Sequence, residues 1–228
     1  MSDEETPGEQ LRLALDRAPS YRREDFVISG GNAAAVAAVD AWPAWPGGRL
    51  ALIGPEGSGK THLARAWAAR SGAAILGDGE VDVSTLRGRP LLVEDADRRP
   101  ADETLFHLIN MADGGASLLI TGRAEPGQWP TKVPDLRSRL NGLPVARIEP
   151  PDDVVLAGVM EIFFLERNIR PADDLIPYLI NRAERSIPAI RDMVRRLDEV
   201  AGAQKREINR ALARQILAGD KDVPDLFD

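Results

Sequence analysis

The sequence predicts an α/β fold: a doubly wound parallel sheet of five strands, followed by a small all-helical domain. Three observations carry that prediction. Between residues 21 and 150, short apolar runs alternate with segments of helical length, the arrangement that joins parallel strands through crossover helices. Four of the five runs are continuous apolar stretches, as strands covered on both faces require. Past Glu149-Pro150-Pro151-Asp152-Asp153, a break followed by a helix start, the chain reads as helical.

Taken in order, residues 1–20 read as a flexible segment, acidic and then polar, with Pro7, Gly8 and Pro19. Inside it, Gln10-Leu11-Arg12-Leu13-Ala14-Leu15 alternates leucines over a stretch too short to build its own core. Two readings stand: an extended peptide that places side chains in a groove on another protein, or an edge strand of this domain, which composition favours. Residues 21–150 hold the α/β domain. Strands are predicted at 49–53, 73–76, 90–94, 117–121 and 145–148, and helices at 32–41, 60–70, 102–113 and about 135–140. A ligand is expected at the carboxyl ends of the strands. Residues 151–228 form the helical domain, with helices at about 152–168, 172–182, 187–201 and 206–218 and an acidic tail from 220. Residues 77–88 carry no chemistry that can be named.

Composition bounds the function. At 228 residues the chain holds one large core, or one plus a small satellite. An apolar share of 43% fits a globular protein, and no stretch is long and apolar enough to span a bilayer. The start, Met1-Ser2-Asp3-Glu4-Glu5, is too acidic for a secretory signal. With no cysteine there is no disulfide and no thiolate metal site, so cytoplasmic residence is expected. Two histidines leave little for zinc. A net charge of −7 argues against nonspecific DNA binding.

The most specific signal is Gly54-Pro55-Glu56-Gly57-Ser58-Gly59-Lys60-Thr61, which fits the phosphate-binding P-loop pattern G-x-x-x-x-G-K-[ST]. Small glycines let successive backbone N–H groups turn inward around phosphates. Lys60 is expected to reach the β/γ-phosphates and the Thr61 hydroxyl to sit on Mg²⁺. The helix that begins there directs its positive end at the anion. The strand at 49–53 before it and the helix after it supply the required context.

A second half of the site follows. Leu91-Leu92-Val93-Glu94-Asp95 is a buried-strand run ending in two carboxylates, about 30 residues after Lys60. A P-loop protein places its Mg²⁺-associated acid and its water-orienting acid there, so Glu94 is read as a metal acid and Asp95 as catalytic; Asp97 reads as a solvated turn residue. Thr121, closing the next strand, has two readings: a hydroxyl near the γ-phosphate, or a strand-end threonine that satisfies its own turn. In Leu136-Arg137-Ser138-Arg139-Leu140, arginines two apart do not share a helix face. One packs locally while the other projects, where it can stabilise transition-state charge on a neighbouring subunit's nucleotide. Composition alone favours two surface arginines.

These residues together resemble the DnaA family of AAA+ ATPases, from about Phe26 to Leu217. Gly59-Lys60-Thr61-His62-Leu63 resembles its P-loop, and Phe26-Val27 with Asn32 its adenine-side entry segment. Phe106-His107 with Asn110 resembles the helix after the acidic strand. Leu119-Ile120-Thr121-Gly122-Arg123 resembles sensor 1, and Pro134-Asp135-Leu136-Arg137-Ser138-Arg139-Leu140 the arginine-finger box, with Arg139 as the finger. His62 and His107 then read as packing or supporting residues. Within the family, three features resemble the Hda group of regulators. The chain ends after the helical lid, the stretch from Leu76 to Pro90 is short, and Gln10–Leu15 resembles that group's clamp-binding peptide.

That resemblance implies a fold, ligands and partners. The fold is an AAA+ domain with a helical lid, holding ADP or ATP with Mg²⁺ against the Gly54–Thr61 loop, Phe26 and Val27. Gln10, Leu11, Leu13 and Leu15 bind the DNA polymerase sliding clamp, so DNA is reached only through the clamp. Arg139, with Asp95 and Thr121 at the chain's own site, belongs to the catalytic set. Arg139 promotes hydrolysis of the ATP held by DnaA, which restrains replication initiation. Two departures lower the intrinsic ATP turnover expected: Glu94 stands where aspartate is usual, and Pro188 aligns with the sensor 2 arginine. Arg185 and Arg191 lie one turn to either side of it. Competing expectations are a non-catalytic adaptor bridging clamp and partner, and a helicase-loader-like ATPase. A homo-oligomer is compatible with all three.

Overall fold

The computed structural model describes residues 20–76, 86, 88–98, 101–113 and 115–219. The Gln10–Leu15 peptide, the tail from 220 and most of 77–88 lie outside the described residues.

Five short strands carry the sheet: β1 (Arg49–Ile53), β2 (Ala74–Leu76), β3 (Leu91–Val93), β4 (Leu118–Gly122) and β5 (Val145–Arg147). They run in the order β2-β3-β4-β1-β5, and every pair is parallel. Burial explains the sequence pattern. The interior strands β3, β4 and most of β1 are buried throughout, whereas the edges β2 and β5 are partly exposed. Interior strands in a covered sheet must be apolar on both faces; edge strands need not be.

Side chains alternate across a strand, and the two faces build two cores. Leu50, Leu52, Leu92 and Leu119 pack under α1 (Ala33–Asp40) and α2 (Lys60–Ser71), with Trp45 stacked on Trp67 at 5.1 Å. Ala51, Ile53, Leu91, Val93, Leu118 and Ile120 pack under α3 (Asp102–Asp113) and α4 (Pro134–Asn141). Helices therefore cover both faces, and α2 leaves the carboxyl end of β1 directly.

A third core gathers the remaining helices: α5 (Asp153–Glu166), α6 (Leu175–Ile180), α7 (Ile187–Gln204) and α8 (Arg210–Gly219). Capping sets where they begin. Asp152 accepts the Val155 N–H at 2.9 Å to open α5, and Ser186 accepts the Ala189 N–H at 3.3 Å to open α7. Pro188 sits in the first turn of α7, where its missing N–H leaves no bond unmade. Helix α8 starts later than the spacing predicts. Lys205 takes a left-handed φ of 50° that ends α7, and Asn209 caps the Leu212 N–H at 3.0 Å. Val27, before α1, also packs into this third core; a Cβ on Gly158 of α5 would lie 2.9 Å from Val27 Cγ2.

Candidate functional site

The loop from Gly54 to Gly59 leaves β1 and turns into α2. It is anchored to the sheet by the Gly54 N–H, which donates to Gly122 O at 3.2 Å. Two of its glycines take positive φ where other parts of the chain pack on the loop. Gly59, the N-cap of α2, has φ 99°, and a Cβ there would stand 3.2 Å from the Phe26 ring. Gly57 has φ 71°, and its Cβ would meet Ser186 Cβ at 2.8 Å. Positive φ of this kind costs an L-residue about 1–2 kcal/mol. The close approach arises because the start of α7 rests on the loop: the Ile187 N–H donates to Gly57 O at 3.1 Å.

A cleft of about 360 Å³ opens over this loop, within the size range of small-molecule sites. It is lined by Gly57, Gly59, Lys60 and Thr61 of the loop, Asp95 and Arg98 beyond β3, Arg123 beyond β4, and Ile187, Pro188 and Arg191 of α7, with Tyr21, His62 and Glu56 at its rim. Lys60 is 7% exposed, and its ammonium donates to Gly54 O at 2.8 Å and Pro55 O at 2.7 Å. Burial pushes it below its ordinary value, against the pull of Asp95, Asp97 and Glu56. Lys60 is held against the carbonyls of its own loop, which costs less than leaving a buried ammonium unpaired. An entering phosphate offers that ammonium a stronger acceptor.

The predicted residues divide. Lys60, Thr61 and Asp95 come together in the cleft. Glu94, expected to serve a metal, turns to Arg65 instead, which holds it at 2.8 and 2.9 Å; it does not line the cleft. Thr121 is 1% exposed, and its hydroxyl accepts the Asp95 N–H at 3.0 Å. Asp95 needs that anchor because it sits in a left-handed turn, φ 51°. Thus Thr121 satisfies the turn of its neighbour and sets the direction of Asp95. Among the described residues no group of three or more His, Asp or Glu side chains is placed to hold a metal alone. A Mg²⁺ that keeps most of its waters and phosphate ligands needs only one or two protein oxygens, and Thr61 and Asp95 are two that line the cleft.

Phe26 is buried against Gly59 and lies edge-on to His62 at 5.5 Å; His62 Nε2 is 2.8 Å from Arg22 O. His62 is thereby a packing residue. Asn32, 4% exposed, braces the entry segment: it donates to Val27 O at 3.0 Å and accepts the Ser29 N–H at 2.9 Å. Of the two arginines flanking Pro188, Arg191 lines the cleft and stacks 4.1 Å over Phe163. Arg185 is engaged with Asp153 and Pro151 O.

The solvated-turn reading of Asp97 is corrected. Its side chain is only 8% exposed; one oxygen accepts from Arg123 Nε at 3.0 Å and the other is buried without a partner among the described residues. In the sequence Arg123 is only the end of a strand-end motif. The two are 26 residues apart, and no local spacing pairs them.

On α4, away from this cleft, Arg137 donates to Gly127 O while Arg139 is exposed beside Asp135, Ser138 and Gly142. Two arginines two apart do face different ways.

No protein-family model matches the chain. It is similar to the chromosomal replication initiator protein DnaA of Thermomicrobium roseum, 26% identical over 251 aligned positions that cover 95% of this chain and 54% of the relative. The chain thus spans about half the length of the curated relatives it matches. Domain III of the Thermotoga maritima replication initiation protein DnaA superposes with a TM-score of 0.72 at 19% identity, covering 89% of this chain and 97% of that one. The AMPPCP-bound DnaA from Aquifex aeolicus gives a TM-score of 0.63 at 18% identity, covering 79% and 66%. The five-stranded parallel sheet, its P-loop and the helices beyond are the AAA+ fold of DnaA domain III.

Proposed function

We propose that this chain binds an adenine nucleotide in the P-loop cleft and acts as an Hda-like regulator of the initiator DnaA. In this reading Gly54–Thr61 hold the phosphates, Thr61 and Asp95 serve Mg²⁺, and Phe26 and Val27 border the base. The exposed Arg139 enters the nucleotide site of a neighbouring DnaA and promotes hydrolysis of its ATP, lowering the supply of initiation-competent DnaA. Gln10, Leu11, Leu13 and Leu15 tether the chain to the DNA polymerase sliding clamp.

The observation that carries the reading is the split of the arginine pair: Arg137 is tied to Gly127 O, and Arg139 stands exposed on the same short helix. A finger must project from a rigid base, and a tied neighbour supplies one. The likeness to DnaA, including a form that holds AMPPCP, supports an adenine nucleotide as the ligand. The capture of Glu94 by Arg65 and the proline at 188 support weak turnover at the chain's own site. They equally favour a second reading, a nucleotide-bound adaptor that bridges clamp and partner without promoting catalysis.

The deciding measurement is ATP turnover by DnaA with and without this protein, in the presence of DNA-loaded clamp. Wild type is expected to accelerate turnover. Arg139→Ala, and a Gln10/Leu13/Leu15 triple alanine variant, are expected to fail. No acceleration by a wild-type protein that binds both clamp and nucleotide would hand the lead to the adaptor.

A further inference from the structure

We propose that Arg65 is a positioning residue of the nucleotide site: with Tyr21 it holds Glu94 away from Thr61 and Asp95, and so weakens the Mg²⁺ dependence of nucleotide binding. The inference rests on the nucleotide reading and extends it to two residues that no site pattern in the sequence includes.

Glu94 and Asp95 are neighbours in the chain, yet only Asp95 lines the cleft. What keeps Glu94 out is one guanidinium. Arg65 Nε and Nη2 both close on Glu94 Oε2, at 2.9 and 2.8 Å. Two donors from one rigid fork fix the direction of the carboxylate as well as its distance. Arg65 follows Thr61 by four residues on α2, and residues so spaced share a helix face, with Cβ atoms about 5–6 Å apart. The pair therefore stands one helical turn from the hydroxyl proposed to serve Mg²⁺. Freeing Glu94 there adds a hard oxygen donor beside that position. Removing Arg65 also takes away a permanent positive charge that opposes a cation.

Arg65 is itself held in place. Tyr21 lies over its guanidinium, with Cζ 4.7 Å from the ring centroid, and the same ring is edge-on to His62 at 5.9 Å. Ser20 Oγ donates to Asp25 at 2.7 Å, which steadies the backbone that presents the ring. With a ring over one face and Glu94 along one edge, the guanidinium has little freedom to turn. Tyr21 also lines the cleft, so the ring joins this latch to the site on which it acts.

Stability does not account for the pair. The Arg65 side chain is partly exposed, and an ion pair so solvated contributes little to folding. Its clear geometric consequence is to remove one of two adjacent carboxylates from the cleft.

The test is calorimetric titration of the full chain with ATP, with and without Mg²⁺, beside a melt of each variant. The quantity read is the ratio of the two affinities. In Arg65→Ala that ratio is expected to rise about tenfold, the scale of one added charged contact, and Arg65→Gln should behave alike. Glu94→Gln in the Arg65→Ala background should return the ratio to within twofold of wild type, the coupling expected of residues that act through one another. Tyr21→Ala should raise it about twofold to fivefold, as loss of an exposed cation–π contact predicts, whereas Tyr21→Phe should keep the wild-type ratio. An Arg65→Ala ratio within twofold of wild type, while Lys60→Ala loses ATP, overturns the latch and spares the cleft. A rise that survives Glu94→Gln assigns the effect to the charge of Arg65 alone and also overturns it. A wild-type ratio in Tyr21→Ala removes Tyr21 from the latch. Unchanged ATP binding by Lys60→Ala sinks the cleft reading beneath the proposal.

Discussion

Glu94 and Asp95 are adjacent carboxylates with opposite surroundings. Glu94 is held by Arg65 through two contacts under 3 Å, whereas Asp95 is turned toward the cleft by a left-handed backbone pinned to Thr121. Their substitutions should separate accordingly. Glu94→Gln is expected to leave Mg²⁺-dependent nucleotide affinity within about twofold of wild type. Its stability loss should stay under about 1 kcal/mol, because the Arg65 partner is partly solvated. Asp95→Asn should leave the melting temperature nearly unchanged and weaken the Mg²⁺ dependence of nucleotide binding severalfold. Titration with and without Mg²⁺, beside a melt of each variant, checks both; equal effects would mean that Glu94 still reaches the metal. At this scale the sequence was legible wherever the chemistry is contiguous. Lys60, Thr61 and Asp95 are recognisable from spacing alone. Asp97 was not, because its burial and its partner come from the turn after β4, and Asp-Arg next to a polar run looks solvated when only neighbours in sequence are weighed.

Elements were legible where burial is two-sided. The interior strands β1, β3 and β4 announce themselves as apolar runs, and α2 follows from the loop that must precede it. The ends were less so. Helix α6 is shorter than the span of predicted helical residues, and α8 starts only where Asn209 can cap it. Caps are tested directly at α5. Asp152 accepts the Val155 N–H at 2.9 Å, and that bond first, then its remaining partners, holds the Asp152 carboxyl below its usual range. A folded-state value below the unfolded one contributes stability above the unfolded range and loses it as pH falls through the folded value. Asp152→Ala should therefore cost about 1 kcal/mol near neutral pH. The gap between variant and wild type should close as pH drops below about 4. A gap that persisted unchanged into acid would mean that packing, not the charged cap, carries the effect. Ser186→Ala, the corresponding change at α7, removes an uncharged cap whose hydroxyl also donates to Glu184 Oε1 at 3.2 Å, and should cost a similar amount near neutral pH.

At the scale of the whole molecule, the sequence predicts a sheet-based part and a helical part but not the seam between them. That seam depends on which helix end meets the P-loop, and no periodicity encodes it. In the structure the start of α7 supplies it: Ile187 N–H reaches Gly57 O at 3.1 Å, and Ile187, Pro188 and Arg191 share one cleft with Lys60 and Thr61. A ligand in that cleft touches both parts at once, so its binding free energy adds to the stability of the assembled molecule. At a nucleotide concentration of 100 times Kd the gain is about 2.7 kcal/mol. For a chain of this size each kcal/mol raises Tm by roughly 2–4 °C, so the expected upshift is about 5–10 °C in one cooperative transition. Gly57→Ala probes the seam without touching a charged group. Its Cβ would stand 2.8 Å from Ser186 Cβ in a backbone conformation of φ 71° that alanine resists. The start of α7 must then lift from the loop. The apo Tm should fall by a few degrees, as expected for a left-handed alanine, and the nucleotide-induced upshift should shrink to less than half. A full upshift in Gly57→Ala would place the coupling elsewhere, most directly in the contact of Val27 with Gly158, and would free α7 of that role.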